Sequence, residues 1–240
     1  MAVSIVSSRV VFPETQTRSR RVYYATKRGM DMGMAAALLV LLSPLMLLIA
    51  ALIRLDSPGP ILFVQTRIGS RRRSNDGTPR WEAIPFQFYK FRSMVVDADP
   101  ALHQAHIAAF VAGRTEVDEE GRPAIKVPND PRLTRVGRVL RKWSLDELPQ
   151  LVNVLKGEMS LVGPRPVPGY EVDAYQEWHY GRLAATPGMT GLWQVKGRCE
   201  LSFDEMIRLD LEYVRKQSLA LDLKILVLTL PVMLSGRGAE

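Results

Sequence analysis

MGMAAALLVLLSPLMLLIAALI, residues 32–53, decides the fold. It carries no charge, and as a helix it would extend about 33 Å at roughly 1.5 Å per residue, enough to cross a bilayer. Ser43 and Pro44 stand at its middle. Proline removes a backbone donor there and clashes with the preceding turn, so a sharp bend is expected, with the serine hydroxyl bonding to carbonyls freed at the break. Arg18, Arg20, Arg21, Lys27 and Arg28 precede the run, and Arg54, Arg67, Arg71, Arg72 and Arg73 follow it. Basic flanks on both sides favour placing both ends in the cytoplasm, which a re-entrant helix–break–helix satisfies. The simpler alternative is one transmembrane helix with a tolerated proline. A buried helix of a soluble domain is disfavoured, because the run has no polar face.

On the N-terminal side, residues 1–26 are polar, basic and weakly patterned, and read as a flexible arm able to lie on a membrane surface. No early apolar core with a small-residue cleavage site marks a secretory signal. On the C-terminal side, SPGPILFVQTRI (57–68) and FQFYKFRSM (86–94) read as two strands of a hairpin, and SRRRSNDGTPR between them reads as a loop by composition. Helical patterns follow at about 98–112, 133–142, 147–155 and 202–217. The charged stretch from Arg114 to Pro128 reads as a solvated insertion. LALDLKILVLTLPVML (219–234), with Asp222 and Lys224 near its start, suits a helix at the membrane interface better than a second span.

The chain therefore reads as α+β, a mainly helical single domain with a small β-hairpin. Its organisation is an arm over 1–26, a re-entrant membrane segment over 27–56 and a catalytic domain with interfacial helices over 57–240. With 240 residues and 47% hydrophobic content it is sized for one well-buried domain. The formal charge of +7 calls for an anionic partner: nucleic acid, a phosphorylated small molecule or an acidic membrane. The single cysteine, Cys199, excludes an internal disulfide and fits a reducing compartment. His103, His106 and His179 have no partner at zinc-ligand spacing, and neither a P-loop nor GxGxxG is present.

The chemistry concentrates in LRKWSLDELPQLVNVLKGEMSLVGPRP, residues 140–166. Ser144 and Glu147 have capping-box spacing, which puts Asp146 and Glu147 near the first turn of a helix, with Pro149 blurring its start. Acidic residues there commonly do no more than complement the macrodipole. The functional reading is that one carboxylate, with Arg141 and Lys142 just upstream, attacks phosphorus while its neighbour helps hold a divalent metal. Arg165, between two prolines, is stiffly placed to grip phosphate or to serve as a surface ion-pair partner. Lys90 and Arg92 alternate with aromatic residues, as on a half-exposed strand. PGMTGLWQVKGR (187–198) reads as a glycine-rich loop whose Trp193, Lys196 and Arg198 are able to stack on a base and neutralise phosphate.

KRGMD (27–31), Ser43–Pro44, SPGPILFVQTRIG, YKFRSM, the block from DPRLTRVG through SLVGPRP (130–166), PGMTGLWQVKGR and LDLKIL (221–226) occur in an order that resembles the bacterial sugar transferases. These are also called monotopic phosphoglycosyl transferases, and the likeness is to short members that have only the re-entrant segment and the catalytic domain. The resemblance implies transfer of a sugar 1-phosphate from a UDP-sugar to undecaprenyl (polyprenyl) phosphate on the cytoplasmic face of the bacterial inner membrane, the first membrane step of exopolysaccharide or surface-glycan synthesis. It implies Asp146 as nucleophile and Glu147 as its partner, the two holding Mg2+, with Lys90, Arg141, Arg165 and Asp222 around the phosphates. It also implies Ser43–Pro44 as the re-entrant break, and it leaves a homodimer open. The competing reading is a non-catalytic adaptor that binds anionic lipid. A nucleic-acid partner is not expected, because no such motif accompanies the apolar run.

Overall fold

The computed structural model describes residues 11–13, 20–75, 78–114, 130–197 and 201–235. A short strand β1 (Val11–Pro13) precedes a long helix α1 (Arg20–Asp56). Strands β2 (Leu62–Asn75) and β3 (Thr78–Phe91) follow, then α2 (Pro100–Val111), α3 (Arg135–Lys142), a 3-10 turn over Leu145–Glu147 and α4 (Gln150–Lys156). The rest comprises β4 (Ser160–Val162), α5 (Gly169–Val172), a 3-10 segment over Glu177–Leu183, β5 (Gly188–Thr190), α6 (Leu192–Lys196), α7 (Phe203–Lys216) and α8 (Leu219–Ser235). Mixed helix with small sheets is thus what the sequence pattern yields.

The helix α1 begins at Arg20, inside the stretch expected as an arm, because tertiary contacts hold its first turns. Tyr23 Oη donates to Asp222 (2.9 Å) and Tyr24 Oη to Gln217 Oε1 (2.9 Å). The chain stays helical through Pro44. The missing N–H leaves the Val40 carbonyl without its i+4 donor, and Ser43 Oγ donates to that carbonyl at 2.8 Å. The interruption expected at Ser43–Pro44 is therefore one absent backbone bond, replaced locally by a side chain.

Both ends of α1 are fixed to the rest of the chain. Arg28 caps the C-terminus of α4, donating to the carbonyls of Val154 (2.5 Å) and Leu155 (2.8 Å), while Asp31 accepts from Leu161 N (3.2 Å). At the other end Arg92 donates to the carbonyls of Pro58 and Ser57, and Asp56 accepts from Val136 N (3.0 Å). A cation at a helix C-terminus meets carbonyls with no intrahelical donor, which explains why Arg28 and Arg92 are spent there. Between these anchors Val40, Leu41, Leu47 and Leu48 stand exposed, as do Leu223, Val227 and Leu230 of α8. The helix is long and apolar enough to cross a membrane.

The hairpin is longer than its sequence pattern suggests. β2 and β3 pair antiparallel from Leu62 opposite Phe91 to Asn75 opposite Thr78, so most of the expected SRRRSNDGTPR loop is strand. Arg73 pairs with Glu82 at 2.9 Å and Trp81 is buried, and such cross-strand contacts extend a ladder that composition alone reads as loop. β1 adds to the free side of β3. Phe86, Phe88, Leu151, Val154, Tyr213 and Ile225 form the main core between the hairpin, α4, α7 and α8.

One buried side chain welds α4 to the hairpin. Asn153 is fully buried; its Oδ1 accepts from Tyr89 N (3.2 Å), and its Nδ2 donates to Gln87 O (2.6 Å) and Glu158 Oε2 (2.7 Å). Asn153→Ala removes three hydrogen bonds and leaves the Tyr89 N–H and the Gln87 carbonyl without their side-chain partner, and the expected cost is about 1–3 kcal/mol. A thermal unfolding curve in detergent checks this: a lower Tm than wild type is expected, whereas Val152→Ala, at a half-exposed neighbour, shifts it far less.

Candidate active site

Three elements deliver the charged side chains to one place. Lys90 lies near the end of β3, Asp146 and Glu147 lie in the 3-10 turn, and Arg165 follows β4. Ser144 does not cap a helix as its spacing suggests. It sits in the left-handed region at φ 55°, its side chain makes no capping bond, and α4 starts only after Pro149. The turn this creates points both carboxylates at β3. Lys90 Nζ lies 3.4 Å from Asp146 Oδ2 and 2.8 Å from Glu147 Oε1. Arg165 Nη2 lies 2.6 Å from Glu147 Oε1, and Nη1 donates to Oε2 at 3.4 Å.

Arg165 is held by its backbone as well as by flanking prolines. β4 and β5 run parallel, and their ends approach so closely that a Cβ at Gly163 would lie 2.2 Å from Thr186 O and one at Gly188 2.0 Å from Gly163 N. Arg67 Nη1 donates to Pro166 O (2.7 Å), and Ile68 N donates to Val167 O (2.8 Å), so β2 braces the segment from the other side. Arg182 Nη2 donates to Arg165 O (3.3 Å) and pairs with Asp210 (2.6 Å), while its Nη1 donates to Tyr175 Oη (2.7 Å).

The electrostatics follow from crowded cations. Burial raises the Glu147 carboxyl, but Arg165 and Lys90 outweigh it and hold the group well below the usual carboxylate range. Burial, reinforced by the nearby Arg165, brings the Arg67 guanidinium down to about 10. Burial, with Arg67 and Arg132 nearby, brings His103 down to about 4, so its imidazole is neutral at pH 7. A part-buried anion between two cations, with more cations behind it, is a site built to accept further negative charge.

The structure unites Lys90, Asp146, Glu147 and Arg165 and leaves two other predicted residues apart. Arg141, in the last turn of α3, pairs with neither carboxylate among the described residues; it lies within electrostatic reach of His103 and Asp130. Asp222 belongs to another network: it is fully buried, accepts from Tyr23 (2.9 Å) and Tyr213 (2.7 Å), and pairs with Lys27 at 3.1 Å. Arg92 caps α1 instead of facing solvent. Trp193 is buried in a cluster with Phe203 and Met206, in α6 and not in a base-stacking loop. Lys196 pairs with Glu212 at 3.5 Å, and Arg198 lies outside the described residues. Sequence reasoning missed Arg67 and Arg182; the alternation of β2 carries a signal for the first, and nothing local marks the second.

Two adjacent carboxylates suit a magnesium ion that also takes substrate phosphates and waters. Among the described residues no group of three or more His, Cys, Asp or Glu side chains could hold a metal, and of this pair Glu147 is already engaged by Lys90 and Arg165.

Residues 22–236 match the bacterial sugar transferase family. The chain belongs to that family. It is 39% identical over 238 residues to the exopolysaccharide production protein ExoY of Rhizobium meliloti (strain 1021), covering 99% of this chain and 98% of the relative. It is 40% identical over 213 residues to the undecaprenyl-phosphate galactose phosphotransferase of Salmonella typhimurium, covering 89% of this chain and 41% of that relative. The undecaprenyl-phosphate glucose phosphotransferase of Komagataeibacter xylinus is 40% identical over 224 residues, covering 89% of this chain and 36% of that relative. The family match encloses every residue of the charged cluster.

Arg165→Lys keeps the charge and loses the two-pronged grip on Glu147. Turnover by the variant is expected to fall about tenfold or more, since one transition-state hydrogen bond is worth that much; steady-state kinetics check it. A depressed Glu147 pKa stabilises the fold fully above the unfolded value of about 4.3 and is lost as pH falls through the folded value. The Tm gap between wild type and Glu147→Gln is therefore expected to be constant at neutral pH and to close in acid below about pH 4, as calorimetry across pH would read.

Proposed function

We propose that this phosphoglycosyl transferase moves a sugar 1-phosphate from a UDP-sugar to undecaprenyl phosphate, starting assembly of a bacterial surface glycan. The observation that carries the reading is Asp146 beside Glu147, with Lys90 touching both and Arg165 gripping the second. The cations offset the repulsion between an attacking carboxylate and an anionic diphosphate. Glu147 keeps Lys90 and Arg165 fixed, while among the described residues Asp146 pairs only with Lys90, at a longer 3.4 Å, which makes Asp146 the freer of the two.

In this reading an Asp146 oxygen attacks the sugar-proximal phosphorus. The bond from that phosphorus to the bridging oxygen breaks, UMP departs with the electron pair, and an aspartyl phosphosugar ester remains. The undecaprenyl phosphate oxygen then attacks the same phosphorus and returns Asp146 to its carboxylate. Magnesium, held by Asp146 and Glu147 with the diphosphate, would neutralise charge on the phosphate oxygens. A covalent intermediate lets a soluble donor and a lipid acceptor use one site in turn.

The re-entrant reading of α1 belongs to the same proposal. What supports it is that Arg28 and Asp31 dock one end of the apolar run, and Ile53 and Asp56 the other, on one folded body. A helix crossing the bilayer would part those ends by about 30 Å of hydrocarbon. The catalytic body then lies on the cytoplasmic face, where nucleotide sugars are found.

UMP release from a panel of UDP-sugars, with magnesium and undecaprenyl phosphate in detergent, tests the function. Wild type is expected to release UMP from one donor or a few, and Asp146→Asn to lose at least about a thousandfold in rate, as for removal of a covalent nucleophile. Folded wild-type protein that releases no UMP from any donor sinks the reading and favours a lipid-binding adaptor.

A further inference from the structure

A basic cavity that contains none of the catalytic cluster lies at the base of α1. It encloses about 390 Å³ between the base of α1 and the distal half of the hairpin, lined by Arg21, Lys27, Ser70, Arg71, Arg72 and Trp81 among others. Trp81 is nine residues before Lys90 on β3, about 30 Å along the strand at roughly 3.3 Å per residue, and the lining includes none of Lys90, Asp146, Glu147 and Arg165. Its lining holds five cations, Arg28 included, and one carboxylate, Asp31. Several of these charges are committed. Arg28 caps α4, Lys27 pairs with Asp222 at 3.1 Å, and Arg72 lies over the Tyr24 ring at 4.8 Å. Glu82, opposite Arg71 in the ladder, is engaged by Arg73 at 2.9 Å. Arg21 and Arg71 are exposed and pair with no acid among the described residues. The Ser70 hydroxyl, only 5% exposed, lines the same space and has no hydrogen-bond partner among the described residues. A buried donor left unpaired beside uncommitted guanidinium groups calls for an oxygen-rich anion.

The level of the cavity says where that anion comes from. Lys27, Arg28 and Asp31 lie within the turns just before the apolar run that starts at Met32. Tyr213 and Gln217, on the far wall, lie just before α8, whose Leu223, Val227 and Leu230 are exposed. Both apolar helices therefore start from the rim of this cavity, and Tyr24 and Trp81 meet edge to face at 5.7 Å beside it. Aromatic rings and cations at the level where apolar helices begin mark the lipid headgroup zone.

We propose that this cavity binds the phosphate of an anionic phospholipid headgroup, seating the base of α1 and the hairpin at the membrane surface independently of the catalytic site. The shared chemistry is a phosphate ester, and a soluble phosphate is the other source the test separates. The full chain in neutral detergent is titrated with phosphatidylglycerol, phosphatidylcholine or inorganic phosphate while Tm is followed, for wild type, Arg21→Ala/Arg71→Ala and the distant control Arg114→Ala/Arg208→Ala. Saturable stabilisation by phosphatidylglycerol is expected, little by phosphatidylcholine, with affinity about thirtyfold weaker in the cavity variant and unchanged in the control. UMP formation by the cavity variant stays at the wild-type rate in detergent, which separates failure here from failure of the catalytic reading. Equal responses to the two lipids, equal weakening by both double variants, or saturation by inorganic phosphate without preference for phosphatidylglycerol would each overturn the proposal.

Discussion

The Glu147 carboxylate, set between Lys90 and Arg165, is the interaction on which the rest of the site depends. It joins three parts of the chain that share no sequence neighbourhood: the end of a hairpin strand, a 3-10 turn and the loop after a parallel strand pair. Without it, Lys90 and Arg165 would face each other across a partly buried space, and their repulsion would push apart the elements that carry them. Burial alone would push this carboxyl toward its neutral form. The flanking cations reverse that, so the group stays an anion and keeps both in place.

The surrounding fold serves that arrangement. Asn153 locks α4 to β3 and so fixes the turn that presents Asp146 and Glu147 to Lys90. The paired glycines at 163 and 188 allow the close approach of β4 and β5 that sets the height of Arg165. Arg67 and Arg182 hold the Arg165 segment by its carbonyls from opposite sides. Such support is what a phosphoryl-transfer site requires, since the chemistry rests on positioning and charge more than on side-chain reactivity.

Much of this was legible in the residues. The uncharged run, the hairpin strands and the helices over residues 133–142 and 202–217 follow from period and composition, and the cluster of Asp146, Glu147, Lys90 and Arg165 follows from the ordered motifs. What was not legible depends on long-range packing. Arg92 reads as a solvated strand residue until the C-terminus of α1 arrives beside it. Asp222 resembles a phosphate-site residue by its place in the sequence, yet the docking of α1 brings Tyr23 and Lys27 to it. The Ser144 box fails because Pro149 delays the helix and leaves a tighter turn in its place. The strand character of residues 71–75 comes from cross-strand partners, which no local window contains.

In the proposed reaction Asp146 carries the phosphosugar between donor and acceptor. Intact-protein and peptide mass spectrometry after mixing the enzyme with a UDP-sugar and magnesium, without the lipid acceptor, tests it most directly. A phosphosugar adduct is expected on the peptide containing Asp146, discharged when undecaprenyl phosphate is added and absent from Asp146→Asn. An enzyme that releases UMP only when donor and acceptor are both present, with no adduct at any time, would contradict it and point to direct transfer between the two substrates.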